Sequence, residues 1–396
     1  MQASGSLARV AFWDESSWGV TPGSPSIYLL GAATEGVGLK GTVEKLISKA
    51  ISSLRGTRNS RGGNITAGGS IPFELPTHGI GRLLKHAIGT AVSGRYATQA
   101  AGLTGIATRY VQSTCPTGAG TLTLSGSNLT WTANGDTAGA AVNVSAAGEY
   151  VLQSGTASKA IYITSAGSPS GGTATVTVSS TLYKHTIKRG ALPAGFGIEL
   201  GYTDIGVYNV ATGCRIDKLD ISLGTSGFVT GSAEVVAKDF DSDNSAPLGT
   251  PLSVAHTPYV HHEAVLLDGG VAANIVNFSL SLENQHDQAR RVGSRFLLSS
   301  REGQGALTGK VELLFESSAA AARVLNETST EFDITFSNGT SSFRLRMPNV
   351  KFFGDVGVGI PTSQGLLQPL DWSADVDTAI TNSDVICEIV NTETSI

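Results

Sequence analysis

Polar and apolar residues alternate along most of this chain. In Lys218–Leu223 the apolar Leu219, Ile221 and Leu223 alternate with Lys218, Asp220 and Ser222. Asn274–Glu283 sets Val276, Phe278, Leu280 and Leu282 against Asn277, Ser279, Ser281 and Glu283. Glu331–Ser337 sets Phe332, Ile334 and Phe336 against Glu331, Asp333 and Thr335. Successive side chains of a strand point to opposite faces, so each segment predicts a strand with one dry and one wet face. Two stretches break the rule. Ile80, Leu83, Leu84, Ala87 and Ile88 have helical spacing and stop at Gly89, which predicts a helix over Gly79–Ile88 after a strand at Ser70–Leu75. A second helix is predicted near Ser317–Asn326, between strands VELLF and FDITF. Thr42–Leu54 also carries helical spacing through Val43, Leu46, Ile47, Ala50, Ile51 and Leu54.

Between Gln112 and Leu182 the alternation shortens. GTLTLSG, LTWTANG, AVNVSA, EYVLQSG, AIYITSA and ATVTVSS are strand-length runs between Gly, Ser and Asn turns. That spacing predicts a small Ig-like β-sandwich (112–182) inserted into a discontinuous domain formed by 1–111 and 183–396, with Trp131 as a core anchor. The 49 glycines and the low charged fraction of 15% fit a strand-and-turn protein, mainly β in class.

Charge is uneven although the net value is only −5. From Lys40 to Arg109 the charges are basic except for Glu44 and Glu74. In 112–182 only Asp136, Glu149 and Lys159 remain. After Lys351 every charge is acidic: Asp355, Asp371, Asp375, Asp377, Asp384, Glu388 and Glu393. A mild net charge argues against tight nucleic-acid binding, which needs a basic face to displace phosphate counterions. Cys115, Cys214 and Cys387 are odd in number and far apart, so they read as buried thiols of a reducing compartment rather than as disulfides or zinc ligands. The N-terminal residues carry no basic-then-apolar signal, and no apolar window reaches bilayer length, so no membrane partner is expected.

Catalytic motifs fail one by one. His256, His261 and His262 lie near Glu263, but strand neighbours diverge and H-E-x-x-H spacing is absent. GFGIELG reads as extended chain, not as a dinucleotide loop. There is no G-x-S-x-G elbow, no P-loop and no D-x-D-x-D-G calcium loop. No enzyme activity, cofactor or metal is predicted.

The order of segments carries a resemblance. FWDESSWGVTPGSP, LRGTRNSRGG, GSIPFELPTHGIGRLLKHAIG, YNVATGCRIDKLDISLGTSGFVTGSAEVVAKDF and VELLFESSAAAARVLNETSTEFDITF follow one another as in the major tail tube proteins of long-tailed, siphovirus-type bacteriophages. The resemblance covers nearly all the chain except Gln112–Leu182. It implies a tail-tube-type β-sandwich with a flanking helix and a continuous β-barrel built by a hexameric ring. Rings would stack into the conduit for DNA ejection. The protein would then be a virion component, assembled in the host cytoplasm on a tape-measure protein between tail-tip and tail-terminator proteins. Asp220, Glu234, Glu283, Glu312 and Asp333 are the expected lumen-lining residues, since carboxylates repel passing DNA. Contacts between subunits or rings are expected to pair Lys45, Lys49, Arg55, Arg58 and Arg61 with Asp371, Asp375, Asp377, Asp384 and Glu388. The sandwich would project outward and touch host-surface glycans weakly. The competing reading is a monomeric carbohydrate-binding adhesin using 112–182, with Trp131, Tyr150 and Tyr162 as its aromatic platform.

Overall fold

The computed structural model describes residues 8–30, 33, 36–49, 59–244, 248–316, 318–355, 366–379 and 381–396. The chain folds as two compact units, each assembled from separate segments: 1–87, 191–262 and 276–312 in the first, 88–190, 263–275 and 313–396 in the second. Both are mainly β.

The first unit is organised on one long strand, Val207–Leu223, which serves two sheets. Its second half lies between Thr230–Ala237 and Ile275–Glu283. That sheet continues through Ser60–Glu74 to Lys40–Ile47 on one side and to Ala306–Leu314 on the other. Its first half pairs with Gly195–Tyr202, which pairs in turn with Ala8–Glu15. The alternation read from Lys218–Leu223 holds: Leu219 and Ile221 are buried, as are Ala233, Val235, Leu280 and Leu282 on the neighbouring strands.

Helix α1, Ile80–Ile88, buries its apolar face, and its His86 ring meets those of Phe12 and Phe196. Leu83, Leu84 and Ala87 are completely buried, and Ile80 and Ile88 nearly so. Gly79 enters the helix at φ +82, a left-handed conformation that costs a side-chain-bearing residue. At the other end the Asn284 amide donates to the carbonyls of Ala87 and Ile216, both at 2.9 Å. This satisfies a terminal carbonyl that the helix cannot bond itself.

The helical reading of Thr42–Leu54 is corrected over Thr42–Ile47; residues 50–54 lie outside the described residues. Lys40–Ile47 is a strand, and its partner runs from Ser60 to Glu74, well beyond the expected Ser70–Leu75. All eight residues of the outer strand are exposed. A helix here would have no surface to bury its apolar stripe against. The β-branched Thr42, Val43 and Ile47 instead complete a backbone ladder with Ser60–Gly68.

In the second unit, Thr330–Asn338 pairs with Ser341–Phe353, followed by Ile386–Asn391, the end of Gly172–Lys188 and Ala91–Gln99. Helix α2, Ala319–Leu325, falls where the sequence predicts it but buries no residue. The beginning of Gly172–Lys188 also pairs with Gly118–Ser125, which pairs with Asn128–Thr132. Opposite lie Ile106–Val111, Thr156–Ala166 and Ala147–Ser154. A separate core of Leu122, Trp131, Leu152, Ile161, Ile163 and Val176 fills the space between the two layers. This core also takes in Ala97, Leu103 and Ile106, outside 112–182. Trp131 is its anchor and is completely buried. A Cβ on Gly120 would meet the Trp131 ring at 2.3 Å, so the ring lies where only glycine leaves room.

Replacing Leu83 with Ala should lower unfolding free energy by about 2–5 kcal/mol, as expected for a truncated core side chain that leaves a cavity. Chemical denaturation checks this. Val43→Ala, on the exposed strand, should change stability by no more than about 0.5 kcal/mol in the dispersed chain.

Candidate functional site

The wet face of the first unit's larger sheet gathers the carboxylates picked out by alternation. Lys218 lies opposite Glu234 on one neighbour and Glu283 on the other, and Asp220 lies opposite Ser232 and Ser281. The next row holds Ser222, Thr230 and Ser279, with the Ser222 and Thr230 hydroxyls 3.0 Å apart. Glu312 accepts a hydrogen bond from the Asn277 amide. Lys218 approaches Asp220 at 3.3 Å, and neither side chain is buried. Lys310 is also exposed on the strand that carries Glu312. Glu74 lies opposite Thr230, so the face presents Asp220, Glu234, Glu283, Glu312 and Glu74 among small hydroxyl residues, with Lys218 and Lys310 as cations.

Asp333 does not belong to this face. It lies in the second unit, 3% exposed, where the Arg344 guanidinium grips it with Nε at 2.9 Å. The expectation that it faces water is corrected. Arg344 also donates to Glu388 at 3.2 Å, and Lys184 meets Glu388 at 2.8 Å. Arg346 pairs with Glu331 at 2.8 Å. Burial opposes the Glu388 charge, but Lys184, Arg344 and Arg109 outweigh it and hold its pKa below the ordinary value. The hydrogen bond to Asp333 leads the causes that raise the pKa of Arg344. FRLRMP was the available signal: Arg344 and Arg346 alternate with Phe343, Leu345 and Met347.

The acidic C-terminal residues are largely engaged within their own unit. Asp384 pairs with Arg189 at 2.7 Å, Asp375 with Lys351 at 3.2 Å, and Asp377 accepts from Thr381 at 2.9 Å. Asp384 and Glu388 are buried, so they are not free to meet a basic surface. Asp371 remains exposed. Among the expected basic partners, Lys45 and Arg61 lie on the exposed hairpin and Lys49 just beyond its first strand. Arg55 and Arg58 fall outside the described residues. The hairpin also exposes about half of Val43, Leu46 and Ile47.

The W-G-V-T-P stretch is held by the buried Glu15, although its own Val20 is exposed. Glu15 accepts from the backbone amides of Gly19 at 2.7 Å and Gly213 at 2.9 Å, and the Trp18 indole donates to the Gly213 carbonyl at 2.8 Å. Burial raises the Glu15 pKa despite these bonds. Nearby, His86 on α1 and Lys85 both bind Asp14, at 2.8 and 2.7 Å. The carboxylate can only accept, so His86 Nε2 carries the proton. Burial works against the Asp14 charge, yet the hydrogen bonds from His86 and Lys85 bring it down to about 2. Burial holds His86 below its ordinary value.

The histidine cluster is arranged differently from the expectation. His261–Glu263 forms a single tight turn, and the rings of His261 and His262 meet edge to face at 5.3 Å instead of diverging. Trp131 is core, so it is removed from the aromatic platform. Cys115, Cys214 and Cys387 are free and buried, and burial raises all three thiols.

Sheets with one hydroxyl- and carboxylate-rich face and one sealed face define a mainly β protein. The chain matches the family described as phage tail tube protein over residues 5–181 and again over 154–374, and it belongs to that family. No curated protein matches it. It is thus a structural component of the virion that self-assembles into a tube.

The buried histidines set a pH limit. His86 and His286 both bind protons less readily when folded, with burial the main cause. Their stabilisation is complete above the unfolded value of about 6.5 and is lost as pH falls below it. The thermal midpoint should fall from pH 7 to 5 and fall again below about pH 4 as Asp14 protonates. His86→Gln should flatten the first limb, which a melting series across pH would reveal.

Proposed function

We propose that the chain builds the tail tube of a siphovirus-type phage, as hexameric rings that join their sheets into one barrel and stack around a DNA-conducting lumen. The wet face bearing Asp220, Glu234, Glu283 and Glu312 lines that lumen. The observation that carries this reading is the gathering of these four carboxylates on one sheet face whose reverse side is dry. Exposed cations would bind phosphates and hold DNA in place, whereas carboxylates let it slide. The outer strand Lys40–Ile47 supplies an edge that a neighbouring copy can pair.

The exposed hairpin is the arm that reaches a neighbouring ring. Its half-exposed Val43, Leu46 and Ile47 would be buried there, and Lys45, Lys49 and Arg61 would steer it towards exposed acids such as Asp371. Charge of this kind guides encounter more than it strengthens the product. The sandwich, inserted within the tube domain, points away from the lumen, because a packed domain inside would obstruct DNA. Rings polymerise on a tape-measure protein in the host cytoplasm, between tail-tip and terminator proteins.

Electron microscopy of the purified chain with its tip complex should show tubes with a central channel and lateral knobs. Compact monomers persisting with tip complex and tape measure would overturn the tube geometry. In tubes that still assemble, Asp220→Lys with Glu234→Lys should slow DNA release, and higher salt should relieve the delay. Unchanged release kinetics would remove these residues from the lumen.

A further inference from the structure

Within the second unit, the sandwich layer formed by Ile106–Val111, Ala147–Ser154 and Thr156–Ala166 faces the end of Gly172–Lys188 across a cavity of about 480 Å³. That volume lies in the range of small-molecule sites. Three features of its lining are independent of one another.

The first is an aromatic wall. Tyr110 and Tyr162 stack with ring centroids 4.3 Å apart and planes 20° apart. The second is an uneven charge group: Arg109 and Lys188 both pair with the one carboxylate of Glu149. Burial, and then repulsion from Arg109, lowers Lys188 to about 8. The group carries one more positive charge than negative. The third is Thr186, which is 4% exposed and whose hydroxyl has no hydrogen-bond partner. A buried orphan hydroxyl costs free energy, and one lining a cavity is ready for a ligand.

Together these features select a ligand. The single excess charge suits a monoanion, since Glu149 would repel a phosphate dianion. The tyrosine wall suits a flat, partly apolar ring face. Thr186 and Glu149 supply hydrogen-bonding positions for hydroxyls. We propose that the cavity binds an acidic sugar of the uronic acid class, with its carboxylate against Lys188 and Arg109, its ring beside Tyr110 and Tyr162, and one hydroxyl on Thr186. This deepens the outward-facing, glycan-contacting reading of the sandwich, but its test uses the dispersed full-length chain and does not depend on tube assembly.

Saturation-transfer NMR and calorimetry with methyl glucuronide and methyl glucoside would test it. The glucuronide should bind saturably, with Kd on the order of 1 mM, and the neutral glucoside about tenfold more weakly. Thr186→Val keeps the side-chain shape and removes the orphan hydroxyl. It should weaken glucuronide binding about fivefold without lowering the melting temperature. Lys188→Met should weaken it about tenfold while Arg109 still holds Glu149. Absence of saturable glucuronide binding would overturn the proposal. So would equal affinity for the glucoside, or unchanged affinity in folded Thr186→Val and Lys188→Met chains.

Discussion

The first unit depends on the burial of one apolar sheet face. Leu219, Ile221, Ala233, Leu280 and Leu282 all lie on the dry side, and α1 contributes Leu83, Leu84 and Ala87 to the same unit's core. Each fully buried leucine or isoleucine among them gains about 1.5–3 kcal/mol by leaving water. Because strand side chains alternate, fixing the dry face also fixes the other one: Lys218, Asp220, Glu234 and Glu283 must face solvent. A register slip of one residue would bury these charges unpaired, at a cost the apolar face could not recover. The carboxylate face is thus a consequence of the same packing that holds the unit together.

Polar contacts secure the helix in this arrangement. Asn284 bonds a terminal carbonyl of α1 and the carbonyl of Ile216, and Asp14 ties Lys85 and His86 to the strand Ala8–Glu15. The neutral, buried His86 lies near the rings of Phe12 and Phe196, 5.8 and 4.8 Å away between centroids. Such an imidazole stabilises only while it stays uncharged, so one contact joins packing to pH dependence.

The second unit uses its polar face differently. Its charges form ion pairs, from Glu331–Arg346 and Asp333–Arg344 through Glu388 to Lys184. Removing one member would leave a buried charge alone, which costs more than the pair itself contributes. A face spent in this way leaves Asp333 buried and paired, which separates it from the partly exposed Asp220 although both alternate identically in sequence.

Local periodicity was enough to establish the strand-rich class, α1 and α2, the mid-chain strands and the Trp131 core, because each depends on neighbours within a few residues. Asp220, Glu234, Glu283 and Glu312 were also legible, as polar members of alternating runs. Thr42–Ile47 was not, since its apolar stripe has nothing to cover and the partner strand Ser60–Glu74 decides its conformation. Nor were the partners of Asp333, Asp384 and Glu388, which come from residues 11, 195 and 204 positions away. Alternation says which side of a strand a residue takes. What lies opposite that side is decided by long-range pairing, and only the tertiary structure brings Arg109, Glu149, Thr186 and Lys188 around one cavity.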